Sequence, residues 1–154
     1  MKKIIPYVEK LHLNELSIMF KDLHDLHATN KPKEFKLNSL LEVKKYLTNN
    51  LAYTHYLYVE NDNIVGFISF KIHACKETVL FKSFKFLNIA EIYVKPQYRK
   101  QGIATKLIDF SKTLAKKEKC KTMMCTVHEF NCKSFYMFSK NGFNVSNYKM
   151  IKEI

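Results

Sequence analysis

The segment Tyr98-Arg99-Lys100-Gln101-Gly102-Ile103-Ala104-Thr105-Lys106-Leu107 constrains this chain more than any other. It follows an extended apolar run, Ile89-Ala90-Glu91-Ile92-Tyr93-Val94, that stops at Pro96, and it opens a long amphipathic helical pattern. A chain that passes from strand to helix here leaves the first N–H groups of the helix without intrahelical partners. Gly102 and Ala104 carry little or no side chain, so another molecule can approach those amides, and Arg99 and Lys100 add positive charge. The helix start therefore reads as a seat for a phosphate or pyrophosphate. Two better-known phosphate loops are absent, since the chain contains neither G-x-G-x-x-G nor G-x-x-x-x-G-K-[ST].

The 154 residues suit one domain, 1–154, able to bury roughly 68–70% of its unfolded surface. At 47% hydrophobic the chain has the material for a packed core. The net charge of +12, from 26 basic and 14 acidic residues, suits a polyanionic partner. The basic residues are scattered lysines rather than a block and lack an interleaved aromatic recognition motif, so nucleic acid is not the expected partner. Cys75, Cys120, Cys125 and Cys132 form no C-x-x-C and no zinc spacing with histidine, so no metal is expected. Pro6 and Glu9 interrupt the apolar stretch after Lys2-Lys3, and no run approaches the ~20 apolar residues of a membrane span. A reduced cytoplasmic protein with free thiols and no membrane partner is the expectation.

Six strand-like and four helix-like stretches follow from the pattern. Residues 4–9 read as a first strand, and apolar residues recur at helical spacing from Leu11 to His27 until Lys31-Pro32. Ser39-Leu40-Leu41-Glu42 is a capping box for a helix to about Asn49. Tyr56–Val59 and Ile64–Phe70 flank the turn Asn61-Asp62-Asn63 as a hairpin. A strand over Phe84–Val94 precedes a helix over Gly102–Lys119, and a fifth strand covers Thr122–His128. Asn131 caps a short helix that closes at Asn141-Gly142, and Val145–Ile154 is expected to supply the final strand or strands.

Arg99-x-x-Gly102-x-Ala104 between strand and helix resembles the acyl-CoA pyrophosphate loop, [QR]-x-x-G-x-[GA], of the GNAT superfamily of N-acyltransferases. Val65-Gly66 matches a pair common in that family's earlier strand, and Asn131 to Phe143 is similar to its closing pattern, N-x-x-[AS]-x-x-x-[YF]-x-K-x-G-F. Leu23-His24-Asp25-Leu26-His27 with Pro32 and Phe35 resembles a leader seen in one group of bacterial members. The resemblance implies an α/β fold with a mixed, mostly antiparallel central sheet of about six to seven strands and about four helices. It implies acetyl-CoA as acyl donor, a primary amine as acceptor, direct transfer within a ternary complex, and a homodimer as an admissible assembly. The alternative is an acyl-CoA-binding module with little activity.

The same resemblance places cofactor contacts on Ile92, Tyr93 and Val94 of the fourth strand, on Arg99, Lys100, Gln101, Gly102, Ile103, Ala104 and Thr105 of the loop, and on Asn131, Ser134 and Phe138. Glu91 is the candidate catalytic residue. It is a carboxylate inside an apolar run, able to accept an amine proton directly or through water, or to anchor a substrate ammonium. Many members have a Tyr general acid where this chain has Phe138, and Tyr136 points ~200° around the helix from it. His24, His27 and the loop to Phe35 are candidates to wall the acceptor site, and His128 and Glu129 follow the fifth strand near the expected cleft.

Overall fold

A computed structural model describes residues 1–152 and 154. The elements are β1 (Lys2–Pro6), α1 (Glu9–Asn30), α2 (Leu40–Asn49), β2 (Thr54–Glu60), β3 (Asn63–Cys75), β4 (Phe84–Val94), α3 (Ile103–Lys117), β5 (Thr122–Cys125) and α4 (Cys132–Lys140). The strands form one sheet in the order β1-β2-β3-β4-β5, antiparallel throughout except for the parallel β4–β5 pair.

Local chemistry accounts for the boundaries. Asn61 and Asp62 both take positive φ, 48° and 61°, and turn β2 into β3. The capping box on α2 is complete: Ser39 Oγ accepts from Glu42 N–H, and Glu42 Oε2 accepts from Ser39 N–H. Asn131 caps α4 by accepting from Ser134 N–H at 3.2 Å. At the other end the Phe143 N–H returns to the Phe138 carbonyl, and the two rings meet edge-on.

Two apolar layers sandwich the sheet. Leu16, Met19 and Phe20 of α1 with Val43 and Leu47 of α2 cover Leu57, Phe67 and Tyr93. Ile103, Leu107, Ile108 and Ala115 of α3 with Phe138 of α4 cover Ile68, Phe70, Leu87, Ile89 and Val94 on the opposite face. The face assignment of β4 changes along its length. Leu87 and Ile89 face α3, as do Ile92 and Val94, although strand alternation would put odd and even positions on opposite faces. A bulge explains this: Ser69 pairs with Glu91 and Phe70 with Ile89, leaving Ala90 as the extra residue.

The sheet has five strands among the described residues, and the expectation of six to seven is corrected accordingly. Residues 145–152 and 154 form no strand, and Glu153 lies outside the described residues. Asn144, Ser146 and Asn147 favour local turns over a ladder. Tyr148, Met150 and Ile151 are exposed, so no apolar burial offsets the entropy of ordering them. β5 is also shorter than the predicted Thr122–His128 and ends at Cys125, because it leaves β4 there.

Candidate active site

The parting of β4 and β5 creates the site. Their pairing ends at Ile89–Cys125, while β4 continues along β3 to Val94. Antiparallel bonding alternates, and Lys95 N–H donates to Val65 O. Tyr93 therefore bonds toward β3, whereas Ile92 and Val94 turn their backbone groups to the edge that β5 has left. Val94 O is taken by Arg99 Nε at 2.8 Å. Gly66 lets β3 approach closely here, because a Cβ on it would sit 2.7 Å from Tyr93 O.

Between the diverging strands lies a cleft of about 180 Å³. Ile89 to Ile92 form one wall and Cys125 to His128 the other. Leu23, His24 and His27 of α1, with Phe35 from the following loop, close one end, and Asn131, Ser134 and Phe138 line it from α4. Of the site residues expected on β4 and α4, Glu91, Ile92, Asn131, Ser134 and Phe138 are thus brought together, while Tyr93 and Val94 do not line the cleft. The loop from Arg99 to Thr105 is a separate feature beyond the end of β4, and it does not line this cleft.

Glu91 projects to the α1 side of the sheet, in cross-strand register with Ser69, which pairs in turn with His55. Its Oε1 lies 3.7 Å from His24 Nε2, within ion-pair distance but too long for a hydrogen bond. That His24 nitrogen is buried and has no hydrogen-bond partner. The His24 ring stacks on Phe20 with centroids 4.5 Å apart, which fixes its plane. Behind Glu91, His55 Nδ1 and the buried Ser69 Oγ share a hydrogen bond of 2.6 Å. Burial pushes His55 below its ordinary value of 6.5, opposed by the charge of Glu91.

Further out, His27 Nδ1 lies 2.9 Å from Leu23 O. A carbonyl can only accept, so Nδ1 carries the proton and donates it to that carbonyl. Lys31 reaches both Glu34, at 2.8 Å, and Glu129, at 3.1 Å, tying the loop after α1 to the β5–α4 connection. Burial lowers the His128 pKa, with Lys31 and His27 acting in the same direction.

The loop after β4 matches its expected architecture. Lys100 and Gly102 take positive φ, 61° and 75°, and the first helical return bond runs from Lys106 N–H to Gly102 O. The N–H groups from Lys100 through Thr105 have no partner among the described residues. Space beside Gly102 is open, with no atom within 4 Å of the position a Cβ would take. Arg99 is held over the Tyr93 ring at 5.5 Å, so its placement depends on β4. Successive free amides at a helix start, with room in front of them, suit a pyrophosphate.

Phe138 is buried against Phe143 and borders the cleft. Tyr136 is exposed with Lys140 over its ring, so it does not stand in for the missing hydroxyl. All four cysteines are free. Cys125 lines the cleft, and burial pushes its thiol up to about 11, which keeps it protonated and a poor nucleophile near neutrality. Sequence reasoning missed the His55–Ser69 pair behind Glu91 and the Lys31 bridge. A serine inside the apolar run Ile64–Phe70 was the available signal for the first.

The family model for the acetyltransferase (GNAT) family matches residues 20–143. The chain belongs to the GNAT acetyltransferase family. Solved structures share its fold at low identity. A tetramutant of the BH1408 protein from Bacillus halodurans superposes with a TM-score of 0.89 at 13% identity, covering 99% of each chain. The aminoglycoside N-acetyltransferase AAC(6')-Iy in complex with CoA has a TM-score of 0.75 at 17% identity, covering 100% of this chain and 95% of that one. A Trypanosoma brucei acetyltransferase has a TM-score of 0.70 at 18% identity, with both chains fully covered. A comparison with curated proteins found no match. No described helix of this GNAT chain is long and apolar enough to cross a membrane, and no described cluster of His, Cys, Asp and Glu could hold a metal ion.

Proposed function

We propose that the protein is an N-acetyltransferase that moves an acetyl group from acetyl-CoA to a primary amine by direct transfer in a ternary complex. The observation that carries this reading is the gap between β4 and β5, with the free backbone of Ile92 on one side and Glu91 with unpartnered His24 on the other. The AAC(6')-Iy structures, with CoA and with a bisubstrate analogue of CoA and an acetylated amine, support the donor and acceptor classes by fold only.

Acyl transfer requires that the amine lose a proton, that the carbonyl oxygen be stabilised as it gains charge, and that the partners be held together. The free amides from Lys100 to Thr105 bind the pyrophosphate, with Arg99 adding charge. Ile92 N–H, at the strand edge without a partner strand, donates to the acetyl carbonyl oxygen. Glu91 takes the proton as the amine nitrogen bonds to the carbonyl carbon and the carbon–sulfur bond breaks. The thiolate leaves without a protein acid, because Phe138 has no proton to give, and takes one from water. Asn131, Ser134 and Phe138 flank the pantetheine arm. Residues 1–154 act as one domain in this scheme.

The test is release of free CoA from acetyl-CoA in the presence of a panel of primary amines, with mass-spectrometric detection of the acetylated amine. Tight CoA binding without turnover on any amine would favour the alternative, a CoA-binding module. The Phe at the acid position is the one feature that favours that alternative.

A further inference from the structure

Resting on the acyltransferase reading, we propose that the acceptor is a small monoamine with an aromatic or apolar body, and that polycations such as polyamines and aminoglycosides are excluded. Charge and shape at the cleft agree on this.

Charge comes first. Glu91 is the one carboxylate among the described residues that line the cleft. Two further acids lie at its mouth, Glu34 and Glu129, and Lys31 engages both, at 2.8 and 3.1 Å. Lys31 holds the Glu34 carboxyl below its ordinary range, and a hydrogen bond from its own backbone, with Lys31 second, does the same for Glu129, so both remain ionised and Lys31 offsets one of the two charges. On α1, Asp22 accepts from the Tyr93 hydroxyl and Asp25 is paired with Lys21. Within the cleft one ammonium is therefore met by Glu91, while a second or third would find no further carboxylate among the described lining residues. The net charge of +12 adds a field that repels a polycation before it arrives.

Shape points the same way. The rings of His27, Phe35 and His128 meet one another in tilted or edge-on pairs, with centroids 5.2 to 5.5 Å apart. Phe130 extends the group, 5.5 Å from His27, and Leu23 adds an aliphatic side. Such a wall receives a flat or apolar body through ring contacts and desolvation. It offers a polyammonium chain ring faces but only one carboxylate, Glu91, to replace the water of several charges.

The experiment is calorimetry on the full chain. CoA binding is measured first, and 2-phenylethylamine and spermidine are then titrated into the CoA-saturated protein. Phenylethylamine should bind at least about tenfold tighter than spermidine, the span that one or two aromatic contacts supply. Phe35→Ala should weaken phenylethylamine about tenfold and leave CoA affinity unchanged. Lys31→Met releases the Glu34 and Glu129 carboxylates and should strengthen spermidine binding. Spermidine binding as well as phenylethylamine, neither amine binding, or a Lys31→Met protein that gains no spermidine affinity would each overturn the proposal. Failure to bind CoA at all would instead sink the acyltransferase reading beneath it.

Discussion

The loop from Arg99 to Thr105 and the wall made by His24, His27, Phe35 and His128 serve one proposed reaction with different materials. The loop offers main-chain amides, a positive φ at Gly102 and open space. The wall offers side chains from α1, the loop after it and the β5–α4 connection, held by ring contacts and the Lys31 bridge. A backbone site depends on conformation, so few residue types satisfy it and a short motif describes it. A side-chain site depends on which distant segments meet, and many sequences produce equivalent walls. The donor half of such an enzyme can therefore stay constant while the acceptor half varies.

The largest effect that would separate the two regions is expected at Glu91. If Glu91 removes the amine proton, Glu91→Gln should lower kcat by roughly 10²–10⁴-fold, the usual range for general acid–base catalysis. CoA affinity should not change, and the loss should shrink at high pH, where the amine is already free. A rise in KM with kcat preserved would make Glu91 an ammonium anchor instead.

Next is the loop. Gly102→Val places a β-branched residue at φ 75° and fills the open space in front of the amides. Loss of two hydrogen bonds to charged groups, at about 1.5 kcal/mol each, weakens CoA roughly 10²-fold. Lys112→Ala, farther along α3, should leave CoA affinity nearly unchanged. Equal losses by calorimetry would mean that the donor half binds through its charge and not through its backbone.

A smaller effect is expected where the halves meet, at Phe138. Phe138→Tyr should leave kcat equal or raise it by up to about tenfold, if the added hydroxyl reaches the leaving sulfur as a general acid. The ring is buried, so a hydroxyl without a partner would instead destabilise the fold by about 1–3 kcal/mol. A thermal melt beside the rate assay separates those results. A large loss of kcat with unchanged stability would remove Phe138 from the leaving-group side.

The sequence was informative in proportion to how local each feature is. The loop, the Ser39 capping box, the Asn131 cap and the Asn61-Asp62 turn are written in consecutive residues and appear as read. Glu91 stood out because a charge in an apolar strand is costly. The features that give it surroundings were not legible. The Ala90 bulge depends on how β3 and β4 align, and it sets which side chains of β4 share a face. His24 and Lys31 find their partners 67 and 98 residues away, and no local spacing encodes such separations. The expected final strand failed for a related reason. Alternation in Val145–Ile154 is a local signal, but a strand also needs an edge to join and side chains to bury.

The smallest predicted effect concerns stability and joins the Glu91 carboxylate to the sheet behind it. Burial lowers the pKa of His55, and the Glu91 charge opposes that shift. A histidine with a folded pKa below its unfolded value of 6.5 is protonated first in the unfolded chain. The stability it contributes is thus fully present above 6.5 and is lost as pH falls through the folded pKa. His128 shifts the same way and acts in the same window, whereas the lowered Glu42, Glu34 and Glu129 stabilise the fold above their ordinary 4.5 and lose that contribution only as pH falls below it. Melting temperature should therefore decline in two stages on acidification, the first beginning near pH 6.5. His55→Gln should reduce the first stage and spare the second. Glu91→Gln removes the charge that opposes the shift, so it should deepen the first stage. An unchanged first stage in Glu91→Gln would show that His55 and Glu91 do not feel each other across Ser69, and the sheet behind the carboxylate would then be scaffold alone.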